Sequence, residues 1–179
     1  METLPLTIRA ARPGDAASIA RVYVESWQDT YPGSLSNTLL SNMTIGGQTG
    51  RWRAAICQGE CVLVAEHERH GVIAMTSFGA PRDRSIGFDG EIYTLYVAPS
   101  FLGQGAGRKL LTEAFAQLSR QGCRSCVIWA HARNNARFFY EAMGGRLVAE
   151  RTERMMGDPV PEIAFGWKRL VVSERSAAR

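Results

Sequence analysis

Three features of the chain predict an α/β fold. Short β-branched and aromatic runs alternate with stretches of helical apolar spacing along most of its length. A strand-like run, Glu91–Val97, leads through a glycine-rich turn into an amphipathic helix. A second apolar run, Val127–Ala130, follows that helix. Strand, crossover helix and strand form a right-handed unit, so the strands at Tyr93 and Ile128 are expected to be parallel neighbours. With 179 residues the chain suits one domain, expected over 6–170, with 171–179 as a frayed tail.

Taken in order, Leu6–Arg12 reads as a first strand and Pro13–Asp15 as the turn after it, with Asp15 as the helix N-cap. Ile19, Val22, Tyr23, Ser26, Trp27 and Thr30 recur at steps of three and four, which predicts a helix ending near Tyr31 and Pro32. Residues 33–50 are rich in Ser, Asn, Thr and Gly, and predict a loop with one short helix at Leu39–Met43, followed by another at Trp52–Gln58. Cys61–Glu66 and Val72–Phe78 predict a hairpin whose turn carries His67 and His70 as exposed polar residues. Leu110, Leu111, Ala114, Phe115 and Leu118 mark the buried stripe of the crossover helix, and Gly122 its end. Arg146–Met155 and Glu162–Leu170 predict a last strand pair around a loop at Gly157–Pro161.

Composition narrows the function. The formal charge is +4, from 21 Lys and Arg against 17 Asp and Glu, which suits a small polyanionic ligand. The basic residues are scattered without interleaved aromatics, so nucleic acid is not an expected partner. No apolar run is long enough for a bilayer, so no membrane role and a cytoplasmic location are expected. Cys57, Cys61, Cys123 and Cys126 raise a zinc site, but Cys61 and Cys126 each open an apolar strand-like run, which favours buried thiols and no metal.

Gly103, Gly105 and Gly107 stand at alternate positions between strand and helix, where exposed amides and the positive helix end favour an anion. The sequence GQGAGRK is not a P-loop, since Leu110 follows Lys109 where a magnesium-binding Ser or Thr is required. It is not a dinucleotide fingerprint either, since Arg108 occupies the third glycine position. The aliphatic, aromatic, aliphatic triplet Leu95, Tyr96, Val97 followed by x-x-G-x-G resembles motif A of the GCN5-related N-acetyltransferase (GNAT) family, with Leu102 replacing its usual Gln or Arg. Downstream, NNARFFYEAMGG resembles motif B, with Asn134 at the asparagine position and Asn135 in place of the usual proline.

The resemblance spans residues 91–145 most strongly and implies a mixed, mostly antiparallel sheet of about seven strands with flanking helices around the parallel βαβ unit. It implies acetyl-CoA as co-substrate and direct transfer of the acetyl group to a primary amine of a small molecule or a protein. Leu95, Tyr96 and Val97 would meet pantetheine, Gly103, Gln104, Gly105, Ala106, Gly107 and Arg108 the pyrophosphate, and Asn134 the pantetheine arm. Tyr140 matches the family's general acid toward sulfur. Glu91, eleven residues before Leu102, stands where related histone acetyltransferases carry a basic glutamate, while His131 and a water relay remain alternatives. Trp27 and Tyr31 are candidates for the acceptor-binding wall, and Trp167 is a further aromatic in the variable region. Dimers are common in the family, so a homodimer is an expected assembly. A non-catalytic acyl-CoA sensor on the same fold is the alternative function.

Overall fold

The computed structural model describes residues 6–33, 35–155 and 157–170; the expected tail at 171–179 lies outside them. Seven strands form one sheet: β1 (Leu6–Ala10), β2 (Cys61–His67), β3 (Gly71–Gly79), β4 (Gly90–Val97), β5 (Cys126–His131), β6 (Arg146–Met155) and β7 (Asp158–Trp167). Their spatial order is β1-β2-β3-β4-β5-β7-β6. Only β4 and β5 are parallel, and every other neighbouring pair is antiparallel. The helices are α1 (Ala16–Thr30), α2 (Asn37–Asn42), α3 (Ile45–Cys57), α4 (Ala106–Arg120) and α5 (Ala136–Ala142).

The period of two along each strand divides the apolar residues between two layers. In β2, Leu63 and Ala65 face a core built with Leu110, Leu111, Ala114, Phe115 and Leu118 of α4. Val62 and Val64 face the opposite core, built with Ile19, Val22, Tyr23 and Trp27 of α1 and Trp52 of α3. The buried stripe expected for α4 is thus the one observed.

Four local expectations give way to tertiary packing. The glycine-rich stretch forms α3, which contains Gly46, Gly47 and Gly50. Each glycine costs a helix about 1 kcal/mol against alanine. Thr44 offsets part of this by accepting the Gly47 N–H at 3.2 Å, and Trp52 packs edge-on against Tyr23. Asp15 does not cap α1 with its side chain. A 3-10 turn at Pro13–Asp15 leads into the helix, and the carboxylate instead takes the Arg12 N–H and both terminal nitrogens of Arg9.

The loop expected at Gly157–Pro161 is mostly strand, since β7 begins at Asp158 and pairs through Pro159 and Pro161 with Arg154 and Thr152. Both prolines precede Glu162, the first β7 residue in the β5 ladder, and Pro161 keeps one bond beyond it, its carbonyl accepting the Ala132 N–H at 2.8 Å. His67 is buried rather than exposed: its Nδ1 accepts the Arg69 N–H, and its ring packs at a tilt against His70 near Phe101.

Gly144 and Gly145 close α5 in different ways. Gly144 has a φ of 84°, the left-handed conformation of a helix stop. Gly145 is required by space: a Cβ there would lie 2.8 Å from the Trp167 ring and 2.9 Å from the Tyr140 carbonyl oxygen. Gly145→Ala is expected to lower stability by about 1–3 kcal/mol through overpacking. Urea unfolding of the variant beside wild type measures it, with Trp167 fluorescence as a probe of the displaced ring.

Candidate active site

The site is built on β4. Its parallel ladder with β5 covers only Gly90, Glu91 and Ile92, opposite Cys126, Val127 and Ile128, and beyond Ile92 the two strands separate. On the other side, Phe78 faces Ile92 and Ser77 faces Thr94, so Tyr93 is an extra residue in β4. Such a bulge resets which side chains face which layer. Ile92, Leu95 and Val97 consequently pack on the α4 side, while Tyr96 joins the aromatic core on the α1 side.

The hydrogen-bond alternation of the antiparallel ladder then fixes the backbone. Ala98 N–H donates to the Ile73 carbonyl at 2.8 Å, so the neighbouring odd positions, Leu95 and Val97, turn their N–H and C=O groups away from β3 and into the gap. The Val97 carbonyl accepts the Ser26 hydroxyl there at 3.1 Å.

The gap opens into a cleft of about 640 Å³ lined by Leu95, Tyr96 and Val97, the glycine turn, Asn134 and Tyr140. In the turn, Gly103 and Gly105 have φ of 75° and 87°, which only glycine adopts without strain. Gly107 differs. It lies in the first turn of α4, where a Cβ would make ordinary 3.6 Å contacts with Phe139 and Val97. The helix closes its first bond at Lys109 N–H to Gly105 O, so the amides of Ala106, Gly107 and Arg108 have no partner within it. Together with the helix dipole and the exposed Arg108 these donors have the chemistry to hold a phosphate group. Gln104 is not part of the lining; its amide donates to Ser100 O at 3.2 Å and braces the turn. Leu102 lines the cleft and is largely exposed.

Tyr140 enters from α5 and lines the cleft while only 4% exposed. Its hydroxyl makes no hydrogen bond to a described residue, and burial, followed by the nearby Tyr31, pushes its pKa upward. Asn134 also lines the cleft, with its side chain engaged in the protein: Nδ2 donates to the Tyr31 hydroxyl at 3.1 Å and Oδ1 accepts the Ala136 N–H at 2.8 Å.

Trp27 and Tyr31 are buried and stand outside the lining. The Trp27 indole donates to the Tyr96 hydroxyl at 2.9 Å, so these aromatics brace the wall instead of forming its surface. Trp167 is buried against Phe115 on the α4 side. Sequence reasoning passed over Ser26, Asp29 and Arg133, which do line the cleft. Ser26 and Asp29 are three residues apart in α1, a helical spacing that marks a shared face.

The structure does not bring Glu91 to the cleft. Its carboxylate is buried, Oε2 accepting the Arg82 N–H at 2.7 Å and Oε1 the Arg82 Nε–H at 2.8 Å. Residue parity changes at the Tyr93 bulge, which separates Glu91 from the face that Leu95 and Val97 present. His131 is 6% exposed, and its Nδ1 accepts the Arg133 N–H at 3.1 Å. The neutral ring therefore carries its proton on Nε2, which has no partner among the described residues. Burial, with Arg133 adding to it, lowers the His131 pKa below its usual 6.5.

Two expectations follow. Glu91→Gln should cost on the order of 2 kcal/mol through weakened charged hydrogen bonds while leaving kcat near wild type. A collapse of kcat at unchanged melting temperature would make Glu91 catalytic. For His131, the unfolded chain binds its proton more readily than the folded one, so stability is full above the usual value of 6.5 and falls as pH drops below it. Melting temperature against pH should fall less steeply below that value in His131→Gln than in wild type.

Comparison with known proteins agrees with this geometry. The chain is 32% identical over 165 residues to the uncharacterized N-acetyltransferase YuaI of Bacillus subtilis, covering 92% of this chain and 94% of that one. A GCN5-related N-acetyltransferase structure from Rhodopseudomonas palustris superposes with a TM-score of 0.75 at 19% identity, covering 93% and 97% of the two chains. The Salmonella typhimurium protein yncA, solved with its cofactor acetyl-CoA, gives 0.68 at 22% identity over 97% and 99%. The sequence profile of the acetyltransferase (GNAT) family matches residues 17–145, most of the chain and both glycine-bearing motifs, and the protein is therefore a member of the GNAT family of acetyltransferases.

Proposed function

We propose that this chain moves the acetyl group of acetyl-CoA directly to a primary amine, on a small molecule or a protein, without a covalent enzyme intermediate. One observation carries the proposal: a single cleft joins the open backbone edge of Leu95 and Val97, the amide-lined turn at Gly103–Arg108 and the buried Tyr140 hydroxyl. Acetyl-CoA is also the cofactor solved with yncA, and coenzyme A that solved with the paiA N-acetyltransferase of Thermoplasma acidophilum.

The residues fit the ligand by its chemistry. The N–H and C=O groups of Leu95 and Val97 match the amides of pantetheine, standing in for the ladder that β5 does not complete. The amides of Ala106, Gly107 and Arg108 take the pyrophosphate, with the Arg108 guanidinium adding charge. When bound, acetyl-CoA supplies an acetyl thioester already activated toward an amine. The protein aligns the two reactants, and that alignment supplies much of the acceleration. Tyr140, kept protonated by its burial, donates its phenolic proton to the departing sulfur. Asp29 is the carboxylate among the lining residues and takes the ammonium proton of the acceptor through water. Four free thiols suit the reducing cytoplasm, where we place the protein.

CoA release measured with a broad amine panel tests the reading. Wild type should turn over at least one amine, and Tyr140→Phe should lose about a hundredfold in kcat with acetyl-CoA binding retained. Thermal stabilisation by acetyl-CoA with no turnover on any amine would favour a sensor, and no saturable acetyl-CoA binding would refute both.

A further inference from the structure

The walls of the cleft divide by chemistry. Leu95, Val97, Phe101, Leu102 and Phe139 supply apolar surface, while Asp29, Thr30, Arg133, Asn134 and Asn135 gather where the end of α1 meets the turn after β5. Two opposite charges share this mouth, and the protein leaves both without a partner.

Asp29 is one residue before Thr30, the last of α1. The final turn of a helix carries partial negative charge and favours cations, so a carboxylate there works against the fold. Asp29 is exposed and makes no hydrogen bond or ion pair to a described residue that would offset this.

Arg133 stands on a braced turn. His131 Nδ1 accepts the Arg133 N–H at 3.1 Å, the His131 carbonyl accepts the Asn134 N–H at 2.9 Å, and Asn134 Oδ1 accepts the Ala136 N–H at 2.8 Å. With its backbone so fixed, the Arg133 guanidinium is exposed and has no hydrogen bond or ion pair to a described residue. A guanidinium is a planar fork of donors whose geometry matches a carboxylate.

The hydrogen bond from Asn134 Nδ2 to the Tyr31 hydroxyl, at 3.1 Å, ties the two elements together. Asp29 lies two residues before Tyr31 and Arg133 one before Asn134, so the charges flank this link from opposite walls. The link also adjoins the reacting end, since Tyr31 adds to the burial that raises the Tyr140 pKa.

We infer, given the transfer proposed above, that the acceptor is a free amino acid, with its ammonium at Asp29 and its carboxylate at Arg133. A protein lysine or N-terminus brings no carboxylate at a fixed distance from its amine, and a diamine would set its second cation against Arg133. The ammonium gives one proton through water to Asp29, and the amine forms the C–N bond as the C–S bond breaks. The sulfur takes the Tyr140 proton, and the second proton of the nitrogen returns to the Tyr140 phenolate. The product keeps its carboxylate but has lost its cation, so Asp29 no longer attracts it and release follows.

CoA release with the free L-amino acids, each beside its amide, tests the inference. Wild type should favour at least one amino acid over its amide by about tenfold or more in kcat/KM, the size of one lost charged hydrogen bond. Arg133→Ala should remove most of that preference by raising KM, Arg133→Lys should restore part of it, and Arg133→Glu should turn it toward the amide. Acetyl-CoA affinity, measured by calorimetry, should stay near wild type in all three, with circular dichroism as the check on folding. The wild-type comparison needs no variant and stands if one folds poorly. Equal use of amino acid and amide, or an Arg133→Ala loss shared by both, would overturn the inference and leave acetyl transfer intact. A loss of acetyl-CoA affinity as large as the loss in kcat/KM would assign the guanidinium to the cofactor and overturn it as well. No turnover on any amine would refute the transfer itself, and the inference with it.

Discussion

The structure depends on an incomplete ladder. Parallel strands normally pair along their shared length, yet β4 and β5 hold only three residue pairs before they part. The Tyr93 bulge on the β3 side and the insertion of β7 against β5 allow the two strands to follow different partners. Unpaired backbone groups in a protein interior are costly unless something satisfies them. Here the Ser26 hydroxyl satisfies one, at the Val97 carbonyl, and the remaining edge opens on the cleft. The site is thus a gap in the hydrogen-bonding scheme, and its shape follows from where the pairing stops.

Around this gap the two cores have different tasks. On the α4 side aliphatic residues pack the glycine turn and its helix against the sheet, which fixes the direction of the helix N-terminus. On the α1 side Trp27, Tyr31 and Tyr96 form a linked group whose polar tips meet one another and Asn134. Each of these rings carries its hydroxyl or N–H into a partnered position, as buried Tyr and Trp require. Trp52 Nε1 and the Tyr140 hydroxyl differ: both are buried without a hydrogen-bond partner among the described residues, and Tyr140 lies beside the gap.

The strand and helix order was legible because the strongest signals, the stripe at Leu110–Leu118 and the run at Val127–Ala130, are local. So were the positive-φ glycines and Tyr140, which local motifs mark. What sequence reasoning missed depends on contacts distant in the chain. α3 tolerates three glycines because Trp52 finds Tyr23 on another helix. Asp15 leaves its cap for Arg9, which also holds Glu66 on β2. Glu91 occupies the expected strand position, but one bulged residue downstream moves it off the face of Leu95 and Val97, and an arginine nine residues upstream takes its carboxylate. A bulge leaves no reliable trace in composition, so facing assigned by counting residues fails there.

The three-pair connection also has a mechanical meaning. Four strands, β1 to β4, lie on one side of it and three, β5, β7 and β6, on the other. Along the backbone the two groups meet only at this short ladder, while the core under α4 joins them below, and a ligand lying along Leu95 to Val97 would add a splint between them. Occupancy would then be read far from the cleft, as slower amide exchange in strands that the ligand never touches.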